Sequence, residues 1–195
     1  YRRQRQMCIR DRVITSWVAG ALIWKWVLSP EYGAINNILA LFGIEGPSWL
    51  QSSKWAMPAI VLASVWKDMG YFGLMLMSGL QGINQEYYDA AAIDGAGKIK
   101  QFTRITLPLL TPTLFFVLII SLINSFQLFT QIMIMTPDGG PLGSTMVMVE
   151  RIYKCGFRYY EMGTAAAYSW ILFAILLLLT MVQMKLQNKW VNYDD

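Results

Sequence analysis

Few residues in this chain could do chemistry, and they fall into three groups. The first, Gly95-Ala96-Gly97-Lys98, looks like the end of a phosphate-binding loop. Such a loop needs G-x-x-x-x-G-K-[ST] after a strand and opening a helix, so that backbone N–H groups surround the phosphates. Here Ala92 stands where the first glycine belongs, Ile99 follows the lysine, and no strand pattern precedes it. No nucleotide site of that kind is expected. The second group is Lys67 and Asp68, two charges inside an apolar stretch. Adjacent helical residues point to different faces, so pairing with other spans, or a place near the outer surface, fits better than a proton relay. The third group is Ser121, Asn124, Gln127 and Gln131. On a continuous helix they form one stripe, and their amides suit the hydroxyls of a solute crossing a membrane. Such groups also hydrogen-bond between helices, and both readings stand. Trp66 and Tyr71 could stack on a sugar, although interfacial or packing roles come first.

The missing chemistry is equally informative. There is no His, no G-x-S-x-G, and no CxxC beside the two cysteines, Cys8 and Cys155. Neither an enzyme nor a metal site is expected, and both thiols should be free.

The elements that must position these groups are apolar. The chain is 55% hydrophobic and only 14% charged, with 12 Met and 8 Trp. Charged residues normally make up about a quarter of a soluble domain, so an all-α polytopic membrane protein is indicated. The net charge of +4 is no nucleic-acid signal, because five of the sixteen basic residues lie in positions 1–12. That leader, YRRQRQMCIRDR, resembles translated sequencing-adapter read-through at the edge of a truncated gene, and it carries no functional role here. An authentic basic cytoplasmic flank is the alternative.

A hydrocarbon core of about 30 Å takes roughly 20 apolar helical residues. Four transmembrane helices are predicted: about Val13 to Ser29, about Ala56 to Leu80, Pro112 to Met135, and about Met162 to Met184. Pro30 closes the first, Thr111 and Pro112 open the third, and TPDGGP ends it. With four spans, both termini share a side with the loop around residues 81–111. Five basic residues on that side (Lys98, Lys100, Arg104, Lys185, Lys189) face four on the other (Lys54, Arg151, Lys154, Arg158), so charge alone does not orient the chain.

Between the second and third spans, EYYDAAAIDGAGKIKQFTRITLPLLTP stands out as soluble in character. EYYDAAA favours helix, with acids in its first turn and alanines that let another backbone approach. Gly95 supplies a turn. KIKQFTRITL then puts Ile99, Phe102 and Ile105 on one apolar face. A helix–turn–helix unit at the membrane interface is predicted, as a connector on the headgroups or as a docking element.

Asp89-Ala90-Ala91, then Gly95, then Ile105 and Leu107-Pro108 resemble the EAA loop of the membrane subunits of binding-protein-dependent ABC importers. The spacing is the family's, and Asp89 in place of Glu is the single departure. SVWKDMGY, LQGIN, NSFQLF, TPDGGP with Ser144-Thr145, AAAYS, GAINNILALFGI and WVNY are similar to the sugar and glycerol-phosphate branch (maltose-type). The likeness runs from Val13 to Tyr193 and makes 13–195 a partial transmembrane domain with its coupling loop at 86–108.

The resemblance implies six spans, so that the four here would be the last four. It implies a permease that moves a sugar or related polyol or glycerol-phosphate solute across a bacterial or archaeal cytoplasmic membrane by alternating access. The loop would be cytoplasmic, with Asp89, Ala90, Ala91, Asp94, Gly95, Ile105, Leu107 and Pro108 coupling to the ATPase subunit. Implied partners are a cytoplasmic ATPase dimer, a second permease subunit, an extracytoplasmic solute-binding protein and membrane lipid. ATP and Mg would sit on the partners, with no cofactor in this chain. A membrane-embedded enzyme and a passive channel are the alternatives.

Overall fold

The computed structural model describes residues 15–190, with side chains described to Gln187. The leader, Cys8 and the start of the first predicted span lie outside that range. Among the described residues the chain is helical, with no strand. In order come α1 (Trp17–Val27), α2 (Ala34–Leu41), α3 (Ala56–Gln81), α4 (Gln85–Ile93), α5 (Lys98–Gln101), a π-turn (Phe102–Thr106) and α6 (Leu107–Leu109). There follow α7 (Thr111–Phe126), α8 (Thr130–Met135), the turns Pro137–Gly139 and Pro141–Gly143, α9 (Met148–Tyr153), a second π-turn (Lys154–Arg158) and α10 (Met162–Trp190).

Among the described residues, two helices are long and apolar enough to cross a membrane, Ala56–Gln81 and Met162–Gln187, each of 26 residues. Their large apolar side chains are exposed, as Val65, Met69, Ile171, Phe173 and Leu178 show. Such a surface calls for lipid rather than water. Lys98–Leu109 and Thr111–Phe126 form a third span only if the pair, bent by 62°, is counted as one. The first predicted span corresponds to α1, of 11 residues. At about 1.5 Å per residue that helix is about half a bilayer long. Ser16 caps it, its hydroxyl accepting from Val18 N–H at 3.3 Å.

The third predicted span needs correction. The helix from Thr111 stops at Phe126, and a new one starts at Thr130. Phe129 between them has φ −137° and ψ −60°. No Pro or Gly marks the break. Instead Leu128 packs on a core of buried residues, and the Phe129 ring lies 5.1 Å from that of Tyr153, which stacks on Phe157 at 5.4 Å. Contacts from residues far along the chain override local helix propensity here.

The molecule divides into two compact units. The first takes in the chain up to Gly70 and Ser125–Ala174. Its core joins Ala21 and Leu28 of α1 and its end to Ala59, Ile60 and Ala63 of α3 and to Ile132 and Met135 of α8. Ala56, Ala59, Ile60 and Ala63 recur at i, i+3, i+4 and i+7, a small-residue stripe that lets helices close up. Trp24 meets Trp66 edge to face at 5.6 Å, and the Lys67 ammonium lies 4.5 Å from the Trp17 ring centre. Trp66 therefore packs, and Lys67 finds a partner on a neighbouring helix.

The second unit takes in Tyr71–Asn124 and the chain from Ile175 onward. It holds the loop between α3 and α7, anchored by a close approach at Gly79. A Cβ there would lie 2.5 Å from Thr113 Oγ1. α7 receives its first backbone bond at Leu110, whose carbonyl accepts from Leu114 N–H at 2.9 Å. The Thr111 hydroxyl donates to the Pro108 carbonyl at 2.6 Å.

Candidate functional site

The loop is built from strong local signals. Asn84 caps α4: its Oδ1 accepts from Glu86 N–H at 3.2 Å while its amide donates to the Glu86 carboxylate at 3.1 Å. The other end closes as a Schellman turn. Gly95 N–H donates to Ala92 O at 3.1 Å, and Ala96 N–H reaches back to Ala91 O at 2.9 Å. That pattern needs a left-handed residue, and Gly95 has φ +73°. The Gln101 amide then donates to Ala96 O at 3.1 Å, tying the turn to α5.

The structure places the eight loop residues of the motif on one excursion from the second unit. Asp89, Ala90, Asp94, Gly95 and Leu107 are exposed, whereas Ala91, Ile105 and Pro108 are half-buried. No residue of α4 or α5 is buried. On the expected apolar face, Ile99 is 81% and Phe102 55% exposed, and Ile105 is half-buried. The π-turn at Phe102–Thr106 takes more residues per turn and so shifts Ile105 relative to Ile99 and Phe102. Its last residue, Thr106, is buried, and its hydroxyl pairs with the Tyr88 hydroxyl of α4 at 2.8 Å. Neither residue is singled out by the motif, and no local pattern pairs positions eighteen apart.

The polar stripe is not one helical face. Ser121 and Asn124 lie on α7, with Asn124 exposed. Gln127 falls in the break, and Gln131 on α8 is buried at 6% exposure in the first unit. Loss of register between Phe126 and Thr130 separates the two glutamines from the i, i+3, i+7 alignment.

A second glycine-rich turn, TPDGGPLGST, lies in the first unit. Asp138, Gly139, Gly140, Leu142 and Gly143 all have positive φ. The turn is held by its own chain: Thr145 N–H donates to Gly139 O at 2.9 Å, and the Thr136 and Thr145 hydroxyls pair at 2.9 Å. Arg158 hydrogen-bonds Asp138, and Lys154 lies 3.7 Å from the same carboxylate oxygen. The Arg158 bond, reinforced by its charge and that of Lys154, holds the Asp138 carboxyl below its ordinary 3.8. Lys154 also pairs with Glu150 at 3.1 Å, and both are buried. Cys155, beside them, is a free, buried thiol.

Comparison with known proteins identifies this architecture. The family described as "Binding-protein-dependent transport system inner membrane component" matches residues 13–193. The chain belongs to this family. It is 35% identical over 185 residues to the probable ABC transporter permease protein YesP of Bacillus subtilis, covering 94% of this chain and 59% of that protein. It is 38% identical over 165 residues to the sulfoquinovosyl glycerol transport system permease protein SmoG of Agrobacterium fabrum, covering 85% and 53% respectively. A third relative is the sn-glycerol-3-phosphate transport system permease protein UgpA of Shigella flexneri, at 36% over 174 residues, covering 89% and 59%. The chain thus spans somewhat more than half the length of these relatives. In fold it resembles a chain of a bacterial ABC transporter involved in importing the acidic polysaccharide alginate, with TM-score 0.87 at 24% identity. That likeness covers 97% of this chain and 66% of the other. Membership of this family does not favour an embedded enzyme or a passive channel.

Proposed function

We propose that this chain is the membrane-embedded part of a permease subunit of an ATP-driven importer for a sugar or related polyol or glycerol-phosphate solute. The relatives' named solutes support that class. Residues 13–195 form a partial transmembrane domain in the cytoplasmic membrane, with α3 and α10 as its unbroken full-length spans. The loop at 86–108 is cytoplasmic, and the segments around 30–55 and 136–161 face a solute-binding protein on the other side. ATP and Mg belong to an ATPase dimer, and a second permease subunit completes an alternating-access pathway.

One observation carries the docking role of the loop. α4 and the turn after it are fully formed by local caps, yet no residue of α4 is buried by this chain. Ile93 is 88% exposed and the alanines beside it leave room for another backbone. A helix made rigid by its own caps and left uncovered suits a cleft on a soluble partner. Asp89, Ala90, Ala91, Asp94 and Gly95 would lie in the contact, with Ile105, Leu107 and Pro108 joining it to the spans. For the solute, Ser121, Asn124 and Gln127 remain the candidate lining, while burial of Gln131 suits it better to holding α8 in place.

The test uses the intact permease with its ATPase in vesicles. A cysteine at Ala91 should crosslink to the ATPase, and solute uptake should require ATP. Uptake without ATP, or a crosslink to lipid alone, would overturn the reading.

A further inference from the structure

We propose that Tyr88 and Thr106 form a clamp that makes the loop move as one body, and so act as positioning residues for coupling. This rests on the docking reading above. Contact with the ATPase would be made by α4, yet force must reach the membrane through α6 and α7. Between α4 and these helices lie the Gly95 turn, a four-residue α5 and a π-turn. Packing does little to stiffen that path: α4 and α5 have no buried residue, and Ile93 and Ile99 are 88% and 81% exposed.

The hydroxyl pair bridges the gap. Tyr88 lies at mid-α4, immediately before the Asp89-Ala90-Ala91 segment, and Thr106 lies immediately before Leu107-Pro108. Their oxygens are 2.8 Å apart and partly shielded from water. Thr106, 7% exposed, joins Leu110 as a buried residue of a loop otherwise open to its surroundings. Thr106 closes the π-turn, and the wider turn sets it inward. Without the bond, α4 could pivot about Gly95 with its partner while α6 and α7 stayed still. ATP would then be hydrolysed without transport.

A net hydrogen bond of ordinary strength shifts a two-state equilibrium by about fivefold. In the intact permease assembled with its ATPase, Tyr88→Phe and Thr106→Val should each raise the ratio of ATP hydrolysed to solute imported by about that factor. Thr106→Ser should stay near the parent, and the double variant should match either single one. The crosslink from a cysteine at Ala91 to the ATPase should persist in all of them, which separates loss of coupling from loss of folding or docking. An unchanged ratio in both single variants overturns the clamp, as does a double variant whose effect is the product of the two. A crosslink lost in step with uptake also overturns it. Absence of the crosslink in the parent would instead remove the docking reading itself.

Discussion

Two of the glycine turns among the described residues, at Gly140 and Gly95, both need positive φ and have opposite surroundings. Gly140 has φ +68°, and a Cβ on it would sit 2.6 Å from Thr145 Oγ1. Gly95 has φ +73°, and a Cβ on it would meet nothing within 4 Å. The first turn is wrapped by its own chain, through two threonine hydroxyls, a buried Glu150–Lys154 pair and the Asp138–Arg158 bond. The second is closed by its own backbone bonds and a side-chain tie from Gln101. A turn that its own chain has closed serves the fold, whereas one fully shaped but uncovered is available to something else. Substitutions at the first should therefore register as lost stability, and at the second as lost coupling in a folded protein.

The largest effect should come from beneath the wrapped turn. Glu150→Ala leaves the buried Lys154 with only the longer contact to Asp138, and breaking one side of a buried pair costs up to about 3–5 kcal/mol. The intact permease should lose most of its folded yield in detergent. Replacing both residues by apolar ones of similar volume should recover much of it. Equal loss in single and double variants would mean the pair matters for another reason.

Gly140→Ala should come next, at about 2 kcal/mol, adding a short contact with the Thr145 hydroxyl to the strain of an extended positive-φ conformation (φ +68°, ψ −171°) that glycine alone takes readily. Gly95→Ala should cost only the strain, about 1 kcal/mol. The contrast is sharpest for function. Gly95→Asp should leave an inserted protein with an unfolding temperature close to that of Gly95→Ala, yet with weak ATPase binding or failed uptake. Thermal unfolding followed beside uptake checks both, and normal uptake with Gly95→Asp would erase the distinction between the turns.

The smallest effect concerns Asp138. Its carboxyl is held below its ordinary 3.8 by Arg158, so this contribution is complete above that pH and is lost as acid protonates the folded form below it. Because the pair is exposed, salt should weaken it as well. Proteolysis within 136–145 should be unaffected between pH 7 and pH 5, rise modestly near pH 3 or in high salt, and respond to neither in Asp138→Asn. Acid sensitivity that persists in Asp138→Asn would place the titrating group elsewhere.

Much of this was legible because local chemistry wrote it. The turn expected at Gly95 acts over a few residues, and the structure has it at φ +73°; the Asn84 cap is equally local, though it stood out only in the structure. Apolar length alone marked Ala56–Gln81 and the helix from Met162, with Pro58 tolerated in the first turn of the former. Both glycine turns could be read from their residue types, but their opposite surroundings could not.

The tertiary structure decided what depends on distant partners. Residues 127–129 read as helix until Leu128 meets the core and Phe129 meets Tyr153, so the polar stripe lost its register for a reason outside its own segment. The Tyr88–Thr106 bond likewise depends on a hydroxyl eighteen residues away. Hydrogen bonds within a turn are fixed by residues that the chain itself holds adjacent, so the sequence determined the caps, the turns and the apolar lengths. Where a helix breaks, which polar groups are buried and which surface stays open depend on what packs against it, and only the folded chain decided those.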